Sequence, residues 1–207
     1  MIKNKDTFNP VGEIEVWKMY EDGREPELHF SDHNVITSGM GVALASLYSG
    51  SGSQTISDYQ ILSYQLGYSG AITNPYSYGT SSTQLINPLK TSQYVTAGSQ
   101  LVVEERNILI NGVSTAQQQV GFVSIPYSNI QRVTPTSVRY TLVIDKNSCL
   151  GLTDTEGLKA ELNEVGLLMY NPLNINPTTS VLVAYRPFTP IYKTGSFALV
   201  IKWTLTF

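Results

Sequence analysis

The stretch from Ser196 to Phe207 reads SFALVIKWTLTF, and its odd positions are all large and apolar: Phe197, Leu199, Ile201, Trp203, Leu205 and Phe207. The even positions are mostly small or polar. Side chains alternate across a strand with period two, so this pattern predicts a β-strand with one buried face, about 40 Å long at roughly 3.4 Å per residue. Such a strand needs a partner layer to cover that face. The rest of the chain must supply it.

The 207 residues suffice for one domain with a full core. The lone cysteine, Cys149, excludes an internal disulfide, and without a Cys/His grouping no zinc site is expected. A net charge of -3 gives no basic field for nucleic acid or an anionic membrane. The opening MIKNKDTFNP lacks the apolar core of a signal peptide, and no apolar run is long enough for a membrane span. Charged residues make up 14% of the chain, well below the roughly 25% usual for soluble domains. Between Asn34 and Val103 the only charges are Asp58 and Lys90. A neutral surface of this kind suits a β protein that works in an assembly, where bare charge would have to be desolvated on docking.

In chain order, Val11 to Tyr20 is a strand that turns at Asp22-Gly23 and returns over Glu27 to Phe30. Glu13 and Glu15 are read as exposed acids of this hairpin, not as an acid–base pair. His29 and His33 have a spacing that suits a metal only on a helix; here they are read as surface histidines. The next stretch, NVITSGMGVALASLYSG, predicts a short strand and then a helix near residues 38–48, capped by Thr37 or Ser38, with Met40, Ala43, Leu44 and Leu47 on its apolar face. Its Gly39-x-Gly41 only begins a dinucleotide fingerprint, since Leu44 stands where a small residue is needed.

Tyr59 to Leu66 is the next strand, followed by a long polar excursion rich in Gly, Asn-Pro and Tyr. Tyr68, Tyr76 and Tyr78 in that excursion could form a contact or glycan-stacking surface, or could pack the loop onto its own sheet. The GYSGA at Gly67 fails the hydrolase elbow because Ala71 stands in the last position. Leu101 to Ile110 and Ala116 to Ile125 are two strands joined around Asn111-Gly112. Pro126 to Thr136 is a connector, and Ser137 to Asp145 a further strand. Asp145, Asp154 and Glu156 offer oxygens for calcium without the DxDxDG spacing, so a solvated loop is expected, with a helical turn at Leu158 to Leu162. Glu164 to Tyr170 and Ser180 to Arg186 pair with one another and flank the terminal strand; the prolines of PFTPIYKTG bar regular pairing in between. About nine strands and one helix result. This predicts an all-β fold, mainly an antiparallel β-sandwich, jelly-roll-like, with one short α-helix.

The order of NVIT before a Gly-containing helix, YQLGYSG with STQLINPL, LNEVGLLMYNP, and LVAYRPFTPIYKTGSFALVIKWTLTF resembles structural proteins of tailed bacteriophages, the tail-fibre, baseplate and collar-associated group. The likeness is loose over residues 34–207 and good over 162–207, with Tyr185 departing from the pattern between Ala184 and Arg186. It implies a virion protein assembled in the host cytoplasm, with other virion proteins and copies of itself as partners, in a trimer or ring. It implies no catalytic residues and no cofactor. Host surface glycans are the alternative partner, gripped by the Tyr-rich loop. Residues 1–33 lie outside the likeness and are expected to form a separate hairpin or attachment arm, leaving 34–207 as the sandwich domain. Glu164 and Arg186, charges amid apolar runs, are expected to form a partly buried ion pair.

Overall fold

A computed structural model of the chain describes residues 10–50, 55–68, 85, 89, 101–110, 113–153, 157–170, 172 and 180–207, with residues 101–110 and 113–120 described by their backbone alone. Among these residues eleven strands form two antiparallel sheets packed face to face as a β-sandwich. The strands are β1 (Val11–Met19), β2 (Glu27–His33), β3 (Val35–Ile36), β4 (Ile61–Gly67), β5 (Leu101–Ile110), β6 (Val113–Ser124), β7 (Ile130–Thr134), β8 (Ser137–Ile144), β9 (Leu162–Met169), β10 (Val181–Ile191) and β11 (Ala198–Thr206). The five-stranded sheet has the order β2-β1-β11-β8-β7, and the six-stranded sheet β3-β10-β9-β4-β6-β5.

The terminal strand behaves as its alternation predicts. Leu199, Ile201, Trp203 and Leu205 are fully buried and Phe197 nearly so, while Lys202 on the opposite face is exposed. Phe207 keeps 42% of its surface. The neighbours of β11 differ from the expectation, however. It lies between β1 and β8, in register from Val11↔Thr206 to Met19↔Ala198 on one side and from Leu199↔Ile144 to Thr206↔Ser137 on the other. The expected flanking pair, β9 and β10, do pair with each other, but in the opposite sheet. The reason is visible in their composition: all of β9 and the first eight residues of β10 are buried, so these strands need cover on both faces.

The division at residue 33 is likewise corrected. Through β1 the N-terminal hairpin supplies an interior strand of the five-stranded sheet, with Ile14 and Val16 fully buried, so it belongs to the sandwich and is not an appended arm. β7 lies inside the segment expected as a connector. The helical turn expected at Leu158 to Leu162 is replaced by a lone bridge, Thr153↔Lys159. β10 runs on through Pro187 to Ile191, and the ladder shifts register there because proline cannot donate to it.

The helix α1 (Ser38–Ser49) packs on β10. A bulge at Val183 leaves two carbonyls of β10 for Thr37, whose backbone N–H donates to Val183 O at 3.1 Å and whose hydroxyl donates to Leu182 O. The hydroxyl thus ties the helix to the sheet and does not cap it. A Cβ on Gly39 would lie 2.2 Å from Leu182 O, so glycine is what lets the helix start approach this closely.

The outer face of the six-stranded sheet is covered as well. There Leu85, Phe122, Leu168, Leu182 and Tyr185 form a second apolar cluster behind the main core. Glu164 and Gln65, both fully buried, sit on the same face. Leu89 is wedged into the sheet: its N–H donates to Leu66 O at 2.8 Å, and Gly121 N–H donates to Leu89 O at 3.2 Å. Direct pairing of β4 with β6 is confined to Ser63↔Ser124 and Tyr64↔Val123.

Candidate contact surface

At the end of the sandwich where β4 begins, an open groove of about 420 Å³ runs between the two sheets and α1. The helix contributes Met40 and Leu44, the entry to β4 contributes Tyr59 to Leu62, and Met169 comes from the end of β9. The other wall is Ile130, Val138 and Tyr140 of β7 and β8, with Tyr127 and Phe207 at the rim. None of the lining residues is charged. Sandwich geometry explains the opening: the inward faces of β8 and β4 carry apolar side chains to their very ends, and no loop among the described residues closes over them. Two of its lining residues are themselves exposed, Tyr127 at 70% and Phe207 at 42%. Tyr127 is steadied by its hydroxyl, which donates to Gln60 Oε1 at 3.1 Å. Isolated exposed apolar residues are ordinary, but a groove with an apolar rim marks a contact site.

A second cavity of about 240 Å³ lies between β4, β8 and the loop after β8, lined by Tyr64, Asn129, Asp145, Ser148 and Cys149 among others. Its thiol and its phenol are held protonated. Burial pushes the Cys149 thiol up to about 12, and Tyr64, also raised by burial, donates its hydroxyl to Val143 O at 3.1 Å. A thiol so raised is a poor nucleophile near neutral pH. Beside it Lys193 is buried, donates to the carbonyls of Lys146 and Thr194, and is held below the usual lysine range by that burial.

The Glu164–Arg186 ion pair is not formed. In the β9–β10 register Glu164 stands opposite Pro187 and Arg186 opposite Val165, so the two charged side chains leave the sheet on opposite faces. Arg186 points into the sandwich and pairs with Asp32 of β2, with its guanidinium 5.6 Å from the Phe30 ring centre. His29 Nε2 lies 2.9 Å from Thr189 O in the same cluster, which joins one edge of the five-stranded sheet to β10. Glu164, on the outer face, accepts a hydrogen bond from the Tyr185 hydroxyl at 3.2 Å. Tyr185, between Ala184 and Arg186, thus partners the buried glutamate.

Of the three tyrosines read as a contact surface, Tyr68 is half-buried and packs against the main core. Tyr76 and Tyr78 lie outside the described residues, as do Asp154, Glu156 and the Asn111-Gly112 turn. Asp145 accepts the Asn147 N–H at 2.8 Å, a loop contact. His29 and His33 stand four residues apart on β2, about 13 Å along a strand, too far to share an ion. Glu15 accepts from the Trp17 indole at 2.9 Å. Among the described residues no three His, Cys, Asp or Glu side chains gather as metal ligands, and no helix is long and apolar enough to cross a membrane. Sequence reading missed the groove, because its lining is assembled from many separate elements; the one local signal was the apolar Phe207 ending the alternation of β11. No protein-family model matches the chain, and no curated protein or solved structure is significantly similar to it.

Proposed function

We propose that this chain is a non-enzymatic structural component of a tailed-phage virion, of the tail, baseplate, collar or fibre, that works by presenting contact surface to other subunits. The observation that carries the reading is the uncharged groove at the β4 entry, with the exposed Tyr127 and Phe207 in its lining. A surface of this size and polarity fits a protein partner better than a polar substrate, since nothing in its lining would orient a charged group. Further support comes from the low charge of the chain and from its resemblance to phage structural proteins, above all over residues 162–207. Quantitative mass spectrometry of purified, nuclease-treated particles of the phage that encodes the chain tests it. The chain should be present at a fixed copy number per particle after the density gradient, and its absence from intact particles would overturn the proposal.

A further inference from the structure

The outer face of the five-stranded sheet is expected to be polar, because only the inner face packs on the core. One row across it is apolar. Leu28 of β2, Trp17 of β1, Val200 of β11 and Val143 of β8 stand directly opposite one another across four strands. At about 4.8 Å between strands they make a stripe about 15 Å wide. Leu28 and Val143 each keep 47% of their surface, and Met19, two residues along β1 on the same face, keeps 37%. Scattered apolar residues are ordinary; a continuous cross-strand row marks a contact.

The next row carries charge. There Glu15 stands opposite Lys202, with Ser31 beside the acid and Thr141 beside the base. Their register would let the two pair across the strands, yet among the described residues neither makes an ion pair. Glu15 instead accepts from the Trp17 indole at 2.9 Å, and the Lys202 ammonium lies 5.1 Å from the centre of the same ring. Both charges are thus held at the border of the apolar stripe with their pairing capacity unused.

These rows are self-complementary under a half-turn about an axis that runs along the strands, on the sheet face, midway between β1 and β11. That rotation sets β1 over β11, and β2 over β8, of a second copy. Trp17 then meets Val200 of the partner subunit, Leu28 meets the partner's Val143, and Glu15 meets the partner's Lys202, each contact occurring twice. A half-turn about an axis across the strands would instead set Glu15 against the partner's Met19 and Lys202 against the partner's Ala198, leaving every charge on an apolar group. The charges select the first axis. Five strands of five to nine residues offer about 600 Å² per copy, at about 4.8 Å by 3.4 Å per residue. Two such faces bury about 1,200 Å², the lower end of the range for specific interfaces.

From this we infer that the chain forms a two-fold dimer in which the outer faces of the five-stranded sheets pack on each other and Glu15 of each copy pairs with the partner's Lys202. The interface is isologous and closed. It is separate from the β4-entry groove and does not depend on the virion reading.

Sedimentation of the full chain from about 1 to 500 μM tests it. The wild type should pass from monomer to dimer in that range, as an interface near the lower size limit predicts. Val143→Asp, at an exposed position opposite the partner's Leu28, should weaken the dimer by about 100-fold. Glu15→Lys and Lys202→Glu should each abolish self-association, because one variant faces base to base and the other acid to acid. Mixed in equal amounts, these two should form a 1:1 heterodimer, since both contacts are then acid to base. Both positions lie on the solvent side of the sheet, so circular dichroism should show the fold unchanged. A wild type that stays monomeric to about 500 μM overturns the inference. So does a dimer that survives both charge reversals, or a mixture of the two variants that fails to associate. Particle composition, which tests the virion reading, is untouched by any of these results.

Discussion

The two sheets of this sandwich solve the problem of burial differently. The five-stranded sheet has a single buried face: along β11 the residues facing the other sheet are fully covered, and Lys202 between them is in solvent, its ammonium 5.1 Å from the Trp17 ring centre. The six-stranded sheet is buried on both faces at β9 and β10, with the main core on one side and the cluster around Tyr185 and Leu168 on the other. Period two in the sequence is therefore a property of a half-exposed sheet, and a continuous apolar run marks strands that have a layer on each side.

The sharpest way to break this contrast is to substitute neighbouring residues. In β11, Trp203→Ala should destabilise the fold by about 3–5 kcal/mol, while Lys202→Ala should cost about 0.5 kcal/mol, the worth of its cation–π contact. In β9 the adjacent pair should not alternate: Leu167→Ala on the inner face and Leu168→Ala on the outer should each cost about 2–5 kcal/mol in urea unfolding. A near-neutral Leu168→Ala would mean that the outer cover contributes nothing. Gly39→Ala tests how α1 is held to β10. Its new methyl would meet a backbone carbonyl that cannot swing aside, so a loss of about 1–3 kcal/mol is expected, against a small gain from helix propensity if the helix were free to shift.

A pH dependence also follows from groups buried between the sheets. The Cys149 thiol is raised by burial to about 12 from about 9, and the Tyr140 hydroxyl likewise to about 12 from 10. Above the unfolded value the unfolded chain gives up the proton and the folded one keeps it, so this stability is complete below about pH 9 and is lost as pH rises toward 12. For Cys149 the loss should be about 1.4 kcal/mol by pH 10. Cys149→Ser should flatten part of the fall in melting temperature between pH 8.5 and 10.5. Native protein at pH 8 should resist a thiol reagent that labels the denatured chain at once.

Much of this architecture was legible in the sequence where one rule acted alone. The alternation of β11, the Asp-Gly turn between β1 and β2, and the helix after NVIT each have a local cause. What escaped was decided by partners far along the chain. β7 has the sequence of a connector because an edge strand whose residues are mostly exposed carries no hydrophobic period. As charges amid apolar runs at one end of the sandwich, Glu164 and Arg186 suggest a pair, but a single position of register sends their side chains to opposite faces. The neighbours of β11 depended on which strands could tolerate a bare face, a choice that no stretch makes by itself. The groove belongs to this second class, for it exists only once both sheets and the helix are in place.

The position of β11 between β1 and β8 also orders events in time. Of the eleven described strands it leaves the ribosome after all the others, yet it is the middle of its sheet. Until it arrives, β1 can zip only to β2, and β8 only to β7, leaving two hairpins with exposed inner edges and no ladder between them. Closing that gap brings together residues separated by nearly the whole chain, the kind of contact that slows folding most. The six-stranded sheet, complete once β10 is made, is the surface on which this late strand is caught, and the nascent chain passes its most aggregation-prone moment just before the final strand inserts.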